Sequence, residues 1–371
     1  MPGKQVLSKM DQLDYFGQKI IKDVGLTFDD VLLLPNYSQI KRDEIDISVN
    51  LTSKIKLGMP LISAPMDTVT TSEMAIALGK LGGLGVIHRN LTVDAQKKEI
   101  ALAKKQTALV AGAVGVGRDF EDRSVALVSA GCDVLVVDSA HGHSKWVIEA
   151  TRFIADKYPD TALVSGSVAT AAGAKALIEA GAQALRVGMG PGSICSTRIV
   201  AGMGVPQITA VLETVAIAKK YGIAVISDGG LRLSGDIVKA IAAGAALVMT
   251  GSLLAGSLEA PGKVVVVSGK KYKSYRGMGS IAAMKEGSSA RYGQEYRKGQ
   301  EKKLLAEGVE GLVPFKGPVE DVVNQLMGGL KSGMYYAGVK TVEELREKTR
   351  LMKVSQASLT ESHPHDILIR K

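Results

Sequence analysis

Two cysteines, Cys132 and Cys195, are all that the 371 residues contain. No disulfide framework can hold this chain, and its cysteine chemistry is thiol chemistry. Aromatic residues are scarce at 4% beside 42 glycines, which suits a fold with many tight turns and backbone-lined ligand sites. No stretch reaches the ~18 uncharged apolar residues of a membrane span. The opening MPGKQVLSKMDQLDYFG lacks the apolar segment of a secretory signal. These absences predict a cytoplasmic protein with no membrane partner. Disorder is excluded by 46% hydrophobic and 22% charged residues. A collagen is excluded because the 42 glycines follow no three-residue period.

What is present in excess is positive charge, 46 Lys and Arg against 37 Asp and Glu, for a net of +9. The basic residues are scattered, densest in Arg291–Lys303. That distribution suits an anionic small molecule or a solvated face at least as well as nucleic acid, which is not an expected partner.

The organising signal is a repeated unit. ALVSAGCDVLVVDSA (126–140), ALIEAGAQALRVGMG (176–190) and AIAAGAALVMTGSLL (240–254) each run from a helix end through Ala-Gly into a short apolar stretch. Gly131, Gly181 and Gly244 stand where a helix takes a left-handed residue after its C-cap. The apolar stretches read as buried parallel strands, continuous rather than alternating. The same pattern gives PLISA (60–64), GVIH (85–88), VAGAVGV (110–116), VLVVD (134–138), ALVSG (162–166), ALRVG (184–188), IAVIS (223–227) and ALVMTG (246–251). Their starts are mostly about 25 residues apart, the length of a strand, a helix and two short loops. Eight such units predict an α/β fold, a (β/α)8 TIM barrel in one catalytic domain over 1–371. A doubly wound open sheet competes, and the eighth strand is the element on which the two differ. Residues 1–59 and 260–371 lie outside this count. The polar stretch 285–308 reads as a mobile loop, within a flap and loop region of about 265–317.

Barrel chemistry sits at the C-terminal ends of the strands. After the sixth comes GMGPGSICSTR (188–198), a glycine-rich turn holding Cys195 beside Ser196, Thr197 and Arg198. Its place favours a nucleophilic thiol over a packed one, whereas Cys132, before a strand, reads as core. After the seventh comes SDGGLRLSGD (227–236), where Asp228 can hold a ribose diol or, alternatively, the segment is a turn with Ser234 as helix N-cap. After the eighth, Gly251 and Ser252 would offer donors at a helix start. Three such turns favour a phosphorylated ligand. After the fourth, VDSAHGHS offers Asp138 for a hydroxyl pair, and His141 and His143 lack the partners a metal site needs. No GxGxxG with a following acidic residue supports a Rossmann cofactor site.

GLTFDDVLLLP, SAPMDTVT, GGLGVIHRN, VDSAHGHS, VGMGPGSICSTRIVAGMGVPQ, SDGGLRLSGD and YKSYRGMGS together resemble inosine-5′-monophosphate (IMP) dehydrogenase, and GMP reductase shares several of them. The resemblance runs from about residue 25 to the C-terminus. It implies a homotetrameric barrel that oxidises IMP to XMP with NAD for guanine nucleotide synthesis. Cys195 would attack C2 of the purine, and the adduct left by hydride transfer would be hydrolysed under a closed flap. Arg291 and Tyr292 match the family's water-activating dyad, with Thr197 and Glu307 as a proton relay. Ser63 and Met66 match purine and ribose neighbours. Ser193, Gly230, Gly251, Ser252 and Tyr275 match phosphate contacts, and Asp228 the ribose ligand. Gly277, Met278, Gly279 and Glu307 match purine contacts. Asp138 and Ser139, with Arg186 and Gly188 near them, match the dinucleotide side. The carbonyls of Gly190, Gly192 and Cys195 match a potassium site, completed in the family by a neighbouring subunit near Glu361, Ser362 and His363.

Three departures stand out. Ser167 replaces the family's usual Asn, and Ala290 and Gly293 flank the dyad where larger or polar residues are common. Arg89–Leu109 leaves room for one helix, so the regulatory CBS pair that the family often inserts there is not expected. GMP reductase is the alternative activity. A nucleotide- or nucleic-acid-binding barrel without catalysis is the alternative class.

Overall fold

The computed structural model describes residues 19–21 and 23–367. Short strands β1 (Val31–Leu33), β2 (Val49–Asn50) and β3 (Lys56–Leu57) precede eight parallel strands. These are β4 (Leu61–Ser63), β5 (Leu84–Ile87), β6 (Ala111–Val114), β7 (Val134–Asp138), β8 (Ala162–Val168), β9 (Ala184–Val187), β10 (Ala224–Asp228) and β11 (Leu247–Thr250). Each pairs with the next, and β11 returns to β4 in the register Val248↔Leu61. The predicted eighth strand therefore closes the ring, and the open sheet is excluded. The apolar runs are continuous because both strand faces are covered, one by the barrel interior and one by helices. β5, β6, β7, β8, β9 and β11 are buried along their whole lengths.

Seven barrel helices follow strands β4 to β10, from Ser72–Lys80 to Ser234–Ala242, with a four-residue helix, Thr197–Val200, between β9 and its barrel helix Gln207–Ala218. Gly131, Gly181 and Gly244 follow three of them with φ of +90°, +101° and +106°, the left-handed exit predicted for them. The eighth helix, Val319–Ala337, arrives only after a long excursion from the barrel. The sequence count placed 260–371 outside the barrel units, yet this helix is a barrel helix, packed between Ser234–Ala242 and Ser72–Lys80. The excursion itself carries β12 (Val265–Val267), β13 (Lys270–Arg276) and β14 (Glu310–Pro314), an antiparallel sheet. Between β13 and β14 lie a short helix, Ile281–Lys285, and two 3-10 turns, the first spanning Ser288–Tyr292.

The stretch 25–35 is a strut against the barrel wall. Phe28 is buried, its carbonyl accepts from Lys239 Nζ at 2.9 Å, and β1 pairs with β15 (Leu351–Lys353). β5 and β6 are joined through a single helix, Val93–Lys104. Its start is capped by Thr92 Oγ1, which accepts from Ala95 N at 3.2 Å. Two local readings change. Ser234 is the first residue of its helix and no cap; Asp236 Oδ2 instead accepts the amides of Arg232 and Leu233 at 2.8 and 3.1 Å. Gly251 and Ser252 open a series of turns, not a helix. No helix of the described residues is long and apolar enough to cross a membrane.

Candidate active site

The strand ends and the excursion enclose a cleft. Its floor and one wall come from strand-end turns: Met66, Ser139, Arg186, Gly188, Gly190, Gly192, Ser193, Cys195, Thr197, Asp228, Gly230, Gly251 and Ser252. The other wall comes from the excursion: Tyr275, Gly277, Met278, Arg291, Tyr292 and Glu307. Ser63 lies sealed beneath the cleft, its Oγ accepting from Thr70 Oγ1 at 2.8 Å. Gly279 is behind Tyr292, where an added Cβ would stand 2.8 Å from the ring. Asp138 borders an adjoining small cavity. Glu361, Ser362 and His363 are exposed at the end of the helix Gln356–Glu361 and are not part of the cleft.

Cys195 is half-buried, with its Sγ 3.3 Å from Thr197 Oγ1. The loop is pinned from outside the barrel, because Ser196 N donates to Glu307 O and Val309 N to Ile194 O, both at 3.0 Å. The segment of the excursion that leads into β14 thus holds the thiol loop through backbone bonds. Cys132 behaves as predicted for core: it is buried, its Sγ donates to Val134 O at 3.2 Å, and burial pushes its thiol up to about 12.

The charged groups form one cluster. Arg186 is buried between two carboxylates, 2.9 Å from Asp138 Oδ1 and 3.2 Å from Asp228 Oδ2, and it donates to Ser139 O at 3.0 Å. Arg89 Nε lies 3.8 Å from Asp138, and Arg291 of the excursion contacts the same carboxylate directly. Burial alone would raise the Asp138 pKa, but Arg291, Arg186 and Arg89 hold it below the ordinary carboxylate range. For Asp228 burial prevails over Arg186 and the pKa goes up. Burial works to discharge Arg291, yet Asp138 keeps it charged. Burial raises the Tyr292 phenol, with Arg291 opposing.

Sequence reading placed Arg186 beside the dinucleotide; the structure makes it a bridge between the two predicted ribose ligands. It passed over Arg89, although its place just past β5 in the HRN of GGLGVIHRN was a usable signal. Ser167 also lines the cleft, its hydroxyl donating to Gly188 O at 2.6 Å. His141 and His143 are exposed, and among the described residues no group of three His, Cys, Asp or Glu is placed to hold a metal.

A closed parallel barrel with a thiol, two carboxylates and glycine turns at its strand ends defines a (β/α)8-barrel enzyme. A family model described as "IMP dehydrogenase / GMP reductase domain" matches residues 25–365, and the chain belongs to that family of oxidoreductases. A relative from Aquifex aeolicus, named inosine-5′-monophosphate dehydrogenase, is 40% identical over 95% of this chain and 98% of its own. Relatives of the same name from Rhodopirellula baltica and Borreliella burgdorferi are 42% and 44% identical, each over 94% of this chain and over 88% and 98% of their own. The Aquifex alignment spans 483 positions, more than this chain's 371 residues. That relative therefore carries sequence with no counterpart here, and no CBS module is evident in this chain.

Proposed function

We propose that this enzyme oxidises IMP to XMP with NAD through a covalent adduct on Cys195. The observation that carries the reading is the convergence on one cleft of Cys195, the ribose-type carboxylate Asp228, the Gly251–Ser252 turn and the flap pair Arg291–Tyr292. Bound NAD supplies the hydride acceptor. Asp228 holds the ribose diol of IMP, while Ser193, Gly230, Gly251, Ser252 and Tyr275 receive the phosphate. The Cys195 thiolate adds to C2 of the purine, and a hydride leaves C2, so a thioimidate remains. Water then adds at C2, and the C–S bond breaks to return the thiol and release XMP. Thr197, in contact with Cys195, hands a proton on towards Glu307.

The residues fit a dinucleotide in a specific way. Asp138 is a buried acceptor beside Ser139, suited to a nicotinamide ribose, and Arg291 now occupies it. A ribose diol and the flap therefore compete for one carboxylate, which favours hydride transfer and hydrolysis as separate, successive states. While Arg291 pairs with Asp138 it acts on water as a fixed positive charge; accepting a proton requires it to leave that partner. For a monovalent cation, the carbonyls of Gly190, Gly192 and Cys195 are neutral donors suited to a large, weakly hydrated ion, although the Gly192 carbonyl already accepts Cys195 N at 3.1 Å. Glu361, Ser362 and His363 of a neighbouring copy in a homotetramer would complete that set.

The test is absorbance of reduced dinucleotide in potassium buffer, with IMP and NAD in one cuvette and GMP and NADPH in another. A rise in the first, with XMP formed, is expected. A fall in the second, with ammonia released, would make the protein a GMP reductase instead and remove the hydrolytic role of Arg291 and Tyr292.

A further inference from the structure

Two lysines outside the cleft take no part in the chemistry above. Lys273 on β13 is buried, and its ammonium donates to the carbonyls of Ser257 at 3.1 Å, Leu258 at 3.0 Å and Ala260. An ammonium has three donors, so one turn uses all of them. Lys316, just past β14, donates to Leu253 O at 2.9 Å. All four carbonyls belong to the segment that begins at Gly251 and Ser252. The far end of that segment is tied as well. Leu258 N donates to Gly317 O at 2.8 Å, and Glu259 accepts the amide of Val319 at 2.8 Å, at the start of the eighth helix. Burial lowers the pKa of both lysines. For Lys273, buried with all three donors used, the hydrogen bonds offset that cost; Lys316 is an exposed side chain whose ammonium makes one such bond.

We propose that Lys273, seconded by Lys316, is a positioning residue for the phosphate end of the cleft. The two ammonium groups hold the carbonyls of Leu253, Ser257, Leu258 and Ala260 away from the ligand and so fix the turn that starts at Gly251–Ser252. The proposal rests on the nucleotide reading above and goes a step beyond it. A phosphate is repelled by carbonyl oxygens and attracted by positive charge behind the backbone. Neither lysine lines the cleft, so carbonyls bound to them are directed elsewhere. Lys273 and Tyr275 are two residues apart on one strand and share a face. Tyr275 Oη would stand 2.7 Å from a Cβ on Gly251. The strand that brings Tyr275 to the turn is therefore fastened to the same turn by Lys273.

The experiment is calorimetric titration of the whole chain with IMP and with inosine, the same nucleoside without phosphate. In Lys273→Met, IMP affinity should fall about tenfold, worth about 1.4 kcal/mol, while inosine affinity stays within about twofold. Equal weakening of both ligands, or of neither, overturns the proposal. If Lys273→Met does not fold, Lys316→Met is judged by the same ratio, and a preserved ratio again overturns it. Wild-type protein that fails to bind IMP overturns the nucleotide reading itself. Wild type that binds IMP, with an unchanged ratio in the variants, overturns only the role of the lysines.

Discussion

Gly188 lines the cleft and Gly293 directly follows Tyr292 of the opposite wall, and both have positive φ, +152° and +66°. A Cβ on Gly188 would stand 2.3 Å from the carbonyl oxygen of Asp228, whereas a Cβ on Gly293 would meet nothing within 4 Å. The contrast holds for the two walls they belong to. The strand-end wall is close-packed backbone on a buried barrel, where no group can move without its neighbours. The excursion wall is polar and largely exposed between residues 293 and 306. It is held to the barrel by two charge pairs, Arg291–Asp138 at its tip and Arg276–Asp67 at its base, and by backbone bonds such as Ser196 N to Glu307 O. Charge pairs are exchanged for other partners more readily than packing is, so on the proposed reading the excursion is the wall that gives way to a dinucleotide.

Cys195→Ala tests the rigid wall most severely. Turnover should vanish while IMP binding by calorimetry survives, because the thiolate is the only nucleophile the proposed scheme uses. A substantial residual rate sinks the assignment. Arg291→Ala tests the exchangeable wall. Hydrolysis should slow by roughly 10²–10⁴ with hydride transfer much less affected, seen as a burst of NADH before a slow steady state. Equal slowing of both steps counts against the division of labour between the walls.

The two glycines give a stability comparison. Gly188→Ala should destabilise by at least 3 kcal/mol, roughly the scale of severe core strain, because a backbone oxygen cannot rotate away. Gly293→Ala should cost only about 1 kcal/mol, the left-handed penalty alone. Thermal unfolding of both variants reads the gap, and equal losses would erase the distinction between the walls.

The smallest expected effect is a pH dependence. In the proposed role Asp228 must be ionised to accept two ribose hydroxyls, and burial raises its pKa. IMP affinity should therefore begin to fall, as pH is lowered, before an ordinary aspartate would titrate. The effect on folding has the opposite sign. A raised native pKa makes the ionised form a cost to stability, relieved as pH falls. A dissociation constant that stays flat down to about pH 4 would contradict the buried, partly compensated state of Asp228.

Much of the rigid wall was legible in the sequence. Cys195, Asp228 and Gly251 each sit just past an apolar run, and a barrel places such residues on one rim. The excursion was legible only in outline. Its polar run marked a loop, but nothing local marked Lys273 as buried or Val319–Ala337 as the eighth barrel helix. Ser234 and Gly251 misled because serine and glycine suit a helix start and a turn equally well, and the neighbouring chain decides between them.

By itself the sequence determined the barrel, through continuous apolar runs at regular spacing and glycines at helix exits. It also determined which turns face the rim, because strand direction follows chain order. Only the tertiary structure decided the electrostatics. Asp138 meets Arg89, Arg186 and Arg291, which lie at separate places along the chain, and Asp228 shares Arg186 with it. Propensity and periodicity act between near neighbours in sequence. Ion pairing and burial depend on distance through space, and that distance exists only once the ring has closed.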